Sequence, residues 1–183
     1  LRSTRRQLKP RGLTTTRAGT LLKHQIPIRT ERWDVTAPGF TETDLVSHSG
    51  NWADGEFAQS LNLTDIHTGW DESYAILGKS QRAVRVALAE VRKALPFRLL
   101  GVDSDNGSEF INACIFHYCQ DHDIQFTRGR PYRKNDQAYA EQRNGAVLRR
   151  YIGYARYSTR PAFAALKAVH ELLRLYVNFF QPV

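Results

Sequence analysis

Methionine is absent from the 183 residues, cysteine occurs only twice, and no apolar run is long enough to span a bilayer. The chain opens on Leu1 with no Met anywhere, which reads as a piece of a longer protein. Its first stretch, LRSTRRQLKPRGLTTTR, is basic but has no apolar segment behind it, so it is not a secretory signal. Cys114 and Cys119 lie near His117 and His122. That segment has a helical pattern, and at about 100° per residue the four side chains spread over more than one face. Free thiols in a reducing compartment are the better reading than a zinc site. Acidic residues are also in deficit, 18 against 26 Lys and Arg, for a net charge of +8. That balance favours a polyanionic partner, because neutralising phosphates releases counterions from nucleic acid.

What is present divides into three stretches. Residues 1–30, rich in Arg, Thr, Gly and Pro without sustained period, read as a basic linker or arm. Residues 31–157 form the main body, and 158–183 a last helix that packs on the body or on a partner subunit. Within the body PGFTETDLVSHSG is a strand with Phe40, Glu42, Asp44 and Val46 on one face. GEFAQSLNLTDIHT and DESYAILG are two more strands joined at a His-Thr-Gly-Trp turn. SQRAVRVALAEVRKALP is an amphipathic helix capped by Ser80 and closed by Pro96. A strand FRLLGVDSD, a helix SEFINACIFHYCQDH, a strand IQFTRG and a basic loop RPYRKND follow. QAYAEQRNGAVLRRYIGYARY is then one amphipathic helix, with Tyr151, Tyr154 and Tyr157 as packing residues. In the last helix Phe163, Leu166, Val169, Leu173, Val177 and Phe180 form the expected buried stripe. The order predicts an α/β fold: a mixed five-stranded sheet flanked by helices.

Three carboxylates occupy positions suited to metal-assisted phosphodiester chemistry. Such chemistry needs an activated oxygen nucleophile and neutralisation of charge at phosphorus, which two Mg²⁺ ions about 4 Å apart can supply. Magnesium takes hard oxygen ligands, so a few convergent Asp and Glu side chains suffice. Asp105 leaves its strand at an Asn-Gly turn, while Asp103, of the same parity, lies deeper. Alone, Asp105 could equally serve an Asx turn. Glu141 sits in the first turns of a helix, where an acid also complements the dipole. It comes after the strongly basic loop TRGRPYRKND, and 35 residues separate it from Asp105. Asp44 breaks a strand pattern, and Glu42 shares its face.

Together ETDLVSHSG, VDSDNGSEF and QAYAEQRNG resemble the DDE catalytic core shared by retroviral integrases and bacterial insertion-sequence transposases, which is ribonuclease H-like. The resemblance spans roughly residues 33–157; its specific part is D-N-G-S-E-F followed by Glu after 35 residues. It implies that Asp44, Asp105 and Glu141 are catalytic and hold two Mg²⁺ ions, with Mn²⁺ able to substitute. Asp65 is then a decoy, one strand too late. The implied reaction is 3′-end cleavage and strand transfer on double-stranded DNA, both element ends and target, by a homodimer or higher oligomer. The implied location is the bacterial cytoplasm, near the nucleoid. Gln137 matches a loop Gln near the DNA, and Arg128, Arg130, Arg133, Lys134, Arg143 and Arg149 are candidate phosphate contacts. Many insertion-sequence members carry Lys or Arg seven residues after the Glu; here that position is Leu148, followed by Arg149. The alternatives are a ribonuclease H-like nuclease that does not join strands, and a non-catalytic DNA-binding or assembly module.

Overall fold

The computed structural model describes residues 20–29, 35–130 and 134–181, and the side chains of 20, 21, 134 and 135 are outside that description. A short helix α1 (Thr20–Gln25) precedes strands β1 (Phe40–Ser47), β2 (Ala58–Asp65) and β3 (Asp71–Leu77). Helix α2 (Gln81–Ala94), strand β4 (Gly101–Ser104), helix α3 (Ala113–Asp121) and strand β5 (Gln125–Arg128) come next. A 3-10 turn (Lys134–Gln137) leads into α4 (Ala138–Arg143), a π-helical segment (Asn144–Arg149) and finally α5 (Arg160–Phe179). The five strands form one sheet in the order β3-β2-β1-β4-β5, with β1–β2 and β2–β3 antiparallel and β1–β4 and β4–β5 parallel. The expected α/β mixed five-stranded sheet flanked by helices is therefore the observed one.

The alternation of β-strand side chains gives the sheet two unlike faces. One is apolar: Leu61, Leu63, Ile76 and Val102 pack with Val84, Leu88 and Val91 of α2 and Ile115 of α3. Ser80 caps α2 by accepting from Ala83 N at 3.2 Å, as its sequence suggests. The other face is polar along β1, β2 and β4, and α4 lies over it. A second apolar cluster there, with Val46, Ala58, Val147, Leu166, Leu173 and Val177, anchors the π-helical segment and α5. Gly39 enters β1 at φ +125°, and a Cβ there would lie 2.5 Å from the Arg98 carbonyl oxygen. Its own carbonyl accepts from Leu100 and Gly101 N, so only glycine lets β4 start this close to β1.

Several elements differ from their sequence expectation. Helix α3 begins at Ala113, not Ser108, because the Asn112 side chain caps Ile115 N at 3.0 Å while Phe110 and Ile111 turn back onto the Gly107 carbonyl. The helix expected over 137–157 changes to π geometry at Asn144 and stops near Tyr151; Gly153 adopts φ +80°, and Arg156 pairs with Ser49. Tyr154 is 72% exposed, not packed. The buried stripe of α5 is Leu166, His170, Leu173 and Val177, whereas Val169 and Phe180 face outward. Spacing explains this: from Leu166, a step of four reaches His170, and the apolar Val169 lies one position off that stripe. Residues 26–29, within the stretch expected as a linker, run beside β5: Ile28 bridges Arg128 in parallel, and Ile26 is buried in the main core.

Candidate active site

Parallel pairing of β1 with β4 sets Glu42 opposite Asp103. Two residues further along both chains, on the same face, come Asp44 and Asp105, so the polar face carries two successive pairs of carboxylates. The two pairs are treated differently. Glu42 and Asp103 are buried, and the Arg29 guanidinium reaches both, at 2.7 Å and 3.3 Å. Asp103 also accepts from Thr127 Oγ1 at 2.6 Å. Burial pushes its carboxyl up to about 6, with the Thr127 bond and Arg29 opposing.

Among the described residues, Asp44 and Asp105 form no ion pair. Asp44 is half-buried; its carboxylate accepts from Leu45 N at 2.7 Å and from Asn144 Nδ2 at 2.7 Å. Burial raises its carboxyl above the ordinary carboxylate range against those two bonds, and Glu109 raises it further. Asp105 lies just past the end of β4 and accepts from Gly107 N at 2.9 Å. The walls of the site desolvate and raise it too, with Asp44 and Glu109 adding repulsion. The structure thus brings these two predicted residues together as mutually repelling carboxylates with no counter-charge in contact.

Glu109 is a third carboxylate, one that spacing alone does not single out. A Cβ on Gly107 would lie 2.8 Å from Asp105 Oδ1 and 2.9 Å from Glu109 Oε2, so the two side chains face each other over that bare glycine. The four-residue interval across an Asn-Gly turn was the available signal.

Glu141 projects from α4 and is exposed, without a hydrogen bond or ion pair to any described residue. The structure does not bring it into contact with Asp44 or Asp105, and among the described residues no group of three or more His, Cys, Asp or Glu is arranged to hold a metal ion. Its helix is nevertheless fastened over the pair. Glu42 Oε2 accepts from Tyr139 N and Ala140 N at 2.9 Å and 3.3 Å, while Gln137 Nε2 donates to the Thr43 and Asp103 carbonyls. Gln137, Asn144 and Leu148 are buried at helical spacing on either side of Glu141. Glu141 is the exposed member of that stripe.

The π-helical segment resets the direction of the side chains after Asn144. Opening one turn adds a residue to the helical phase, so Arg149 takes the direction that a residue seven after Glu141 has in a plain α-helix. Leu148 is fully buried instead. Arg149 donates to the Ser47 carbonyl at 3.1 Å, stacks over Tyr154 at 4.7 Å, and lowers Asp44 electrostatically.

The remaining candidates fall in different places. Arg128 is engaged internally, donating to the Ile26 and Lys23 carbonyls and to Asn106 Oδ1. Arg130 is exposed and forks onto Asp136 at 2.7 Å and 2.9 Å. Arg143 donates to the Gly69 carbonyl at 2.9 Å. Gln137 is buried, while Arg133 and the Lys134 side chain lie outside the described residues. Asp65 braces a turn: it accepts from Gly39 N and from Thr68 N and Oγ1. Cys114 and Cys119 are free thiols, and burial pushes Cys119 up to about 12.

No family model matches the chain. It is 43% identical over 175 residues to "Uncharacterized protein y4rM" of Sinorhizobium fredii (strain NBRC 101917 / NGR234), a match covering 94% of this chain and 50% of that protein. The chain therefore spans about half the length of the curated relative it matches. Among solved structures, it is similar to the catalytic core domain of BIV integrase, at 19% identity and a TM-score of 0.58 over 80% of this chain and 88% of that one. It is also similar to a chain of the simian T-cell lymphotropic virus intasome in complex with PP2A regulatory subunit B56 gamma, at 16% identity and a TM-score of 0.65 over 87% and 55%. The chain has the ribonuclease H-like fold of retroviral integrase catalytic cores.

Proposed function

We propose that this chain is the catalytic domain of a DDE-type transposase or integrase, which cleaves DNA at an element's 3′ end and joins that end to target DNA. The observation that carries the reading is the contrast between the two carboxylate pairs. One pair is closed by Arg29; the other is open, repelling and held by neutral donors. A carboxylate pair without a cation is a site that gains from binding one. The donor set fits Mg²⁺ or Mn²⁺, being hard oxygen throughout. Asn144 Oδ1, buried beside Asp44 with no partner among the described residues, is an acceptor suited to a metal-bound water.

Asp44 and Asp105 would hold the metal with Glu141, the exposed member of a helical stripe whose other residues, Gln137, Asn144 and Leu148, are buried. Two ions there would supply an activated oxygen nucleophile and neutralise charge at phosphorus. The chain's own contribution is positional. Asn144 fixes one oxygen of Asp44, the Gly107 amide fixes one of Asp105, and Glu42 with Gln137 seats the helix that bears Glu141. In the joining step the freed 3′-hydroxyl forms one P–O bond as one P–O bond of the target strand breaks. No covalent protein intermediate is required. Partners under this reading are duplex DNA and a second copy of the chain, since two ends need two sites. The outward face of α5, with Leu172, Leu175 and Phe179 exposed, supports that second copy.

Crystals soaked in Mn²⁺ and measured for anomalous scattering test the site: ions are expected between Asp44 and Asp105, and ions at Asp103 or Asp65 instead would sink the assignment. A donor-end duplex then separates the reactions. Joined products are expected, whereas cleavage products alone would point to a nuclease, and activity undiminished in Asp105→Asn to a non-catalytic role for this site.

A further inference from the structure

We infer that Arg29 is a positioning residue for the Glu141 helix, through which the segment preceding the sheet becomes part of the active site. The inference rests on the proposed role of Glu141 as a metal ligand.

The geometry is a chain of short contacts. Arg29 follows Ile28, whose bridge to Arg128 lays the segment along the edge of β5. Its side chain is only 9% exposed and runs beneath the 3-10 turn onto the polar face of the sheet. There it donates to Glu42 Oε1 at 2.7 Å, lies 3.3 Å from Asp103 Oδ2, and donates to the backbone carbonyl of Asp136. Glu42 acts as a bracket with two ends. One oxygen takes Arg29, and the other takes the amides of Tyr139 and Ala140, which are open donors at the start of α4. One guanidinium therefore contacts three pieces that bear on the site: β1, which holds Asp44, β4, which runs into Asp105, and the turn before α4, while the first amides of α4 are reached through Glu42.

The charge balance makes Arg29 hard to replace. Glu42 and Asp103 face each other across the β1–β4 pairing, both buried, and Arg29 is the cation that contacts them among the described residues. Removing it leaves two buried carboxylates opposed, and the cheapest relief is for one to swing toward solvent. Asp103 keeps its bond to Thr127 within the sheet, whereas Glu42 keeps only the two amides of α4, so any movement of Glu42 is taken up by that helix. When Glu42 swings, the amides of α4 lose their acceptor, and the start of the helix lifts while the rest of the sheet stays paired. Nη2 meets Glu42, Asp103 and the Asp136 carbonyl together, so the task needs a cation of this reach; a lysine ammonium supplies the charge on a shorter side chain.

The test is Arg29→Gln in the full chain, read by amide hydrogen exchange and by Mn²⁺-dependent nicking of supercoiled plasmid. Exchange at Tyr139 and Ala140 is expected to accelerate at least about tenfold while amides of β2 and α2 keep their rates. The Mn²⁺ concentration for half-maximal nicking should rise at least about fivefold, with a smaller change in the saturated rate. Arg29→Lys should fall between the two proteins in both readouts, and it carries the same test if Arg29→Gln does not fold. Uniform acceleration across the chain, or unchanged exchange over 136–143, would overturn the inference by showing a merely structural role or none. A Glu141→Gln chain that keeps its full Mn²⁺ response would instead defeat the reading of Glu141, and the exchange result for Arg29 would still stand.

Discussion

Gly107 matters for the side chain it lacks, because its missing Cβ is the space in which the Asp105 and Glu109 carboxylates meet. Its φ is not positive, so alanine suits the backbone, but the new Cβ would lie 2.7 Å from Glu109 Cδ and 2.8 Å from Asp105 Oδ1. Gly107→Ala should therefore fold with a stability change within about 1 kcal/mol and lose at least about tenfold in cleavage, through displacement of Asp105. Melting curves and nicking rates of the same preparation check both halves. Asp105→Asn separates chemistry from stability in another way. Its carboxyl is held above the usual range, so the ionised form is penalised in the folded chain at neutral pH. The amide oxygen of Asn keeps the bond to Gly107 N and sheds the repulsion from Asp44 and Glu109. Cleavage should drop at least about a thousandfold, while the melting temperature stays level or rises by about 2–4 °C. A fall of that size in melting temperature would contradict the repulsive arrangement. At this scale the sequence was informative where parity and turn chemistry speak, as at Asp44 and Asp105, and silent where distant chain segments meet. Nothing near Arg29 says that it enters between Glu42 and Asp103, and nothing near Asn144 says that it holds Asp44.

Helix α5 is seated on the sheet partly through a buried cluster of two histidines about one serine. Ser60 Oγ on β2 lies 2.7 Å from His48 Nε2 and 3.0 Å from His170 Nε2, and both Nδ1 atoms are buried without a partner among the described residues. The hydroxyl can donate to one ring only while that ring's Nε2 is unprotonated, and it accepts from the Nε2–H of the other. Burial lowers His48 to about 4, aided by Arg149, and His170 to about 3, aided by His48; the Tyr157 ring packs against His48 and brings no charge. Each ring titrates near 6.5 when unperturbed. On acidification the unfolded chain thus takes up protons first. Stability from the cluster is complete above pH 6.5 and declines as pH falls toward 4 for His48 and 3 for His170, by about 1.4 kcal/mol per pH unit for each ring. Asp71 and Asp103, whose carboxyls burial lifts to about 6, act in the opposite sense over the same range. The ring is therefore isolated by comparison: between pH 7 and pH 5, His170→Gln should lose less stability than the parent chain in thermal melts. Equal sensitivity in the variant would refute the cluster as its source. The helix itself was legible from its apolar period and its Ser-Thr-x-Pro start, with Thr159 capping Ala162 N as such a start implies. Its facing was not, since a polar residue occupies a core position and an apolar one lies beside it. The π-helical segment was illegible for a related reason: Asn144 and Gly145 permit it, and only the pull of Asp44 on Asn144 and the seating of Val147 and Leu148 select it.

For the whole molecule, a net charge of +8 accompanies a candidate site whose own groups are acidic. Duplex DNA should bind through surface arginines such as Arg130, Arg143 and Arg149, and affinity should fall at least about tenfold from about 50 to about 200 mM salt. Fluorescence anisotropy with labelled duplex measures it, and salt-independent binding would remove the electrostatic role. The outward face of α5 predicts self-association: sedimentation should show a concentration-dependent dimer that Leu172→Glu, at a position 71% exposed, abolishes without unfolding the chain. The mixed sheet was readable from the succession of elements, because three antiparallel strands followed by helical crossovers leave few arrangements. How the chain before β1 lies was not, since its composition lacks a period. Yet that stretch has a consequence for solubility. A sheet ends at its outermost strand in a row of unpaired amides and carbonyls, a template for any passing strand. Here Arg29 N donates to the Arg128 carbonyl and Arg128 N to the Pro27 carbonyl, so the segment shields one rim of the sheet. A recombinant version trimmed to begin at residue 31 would present that rim bare, and should be recovered from cells as aggregate, not in the soluble fraction.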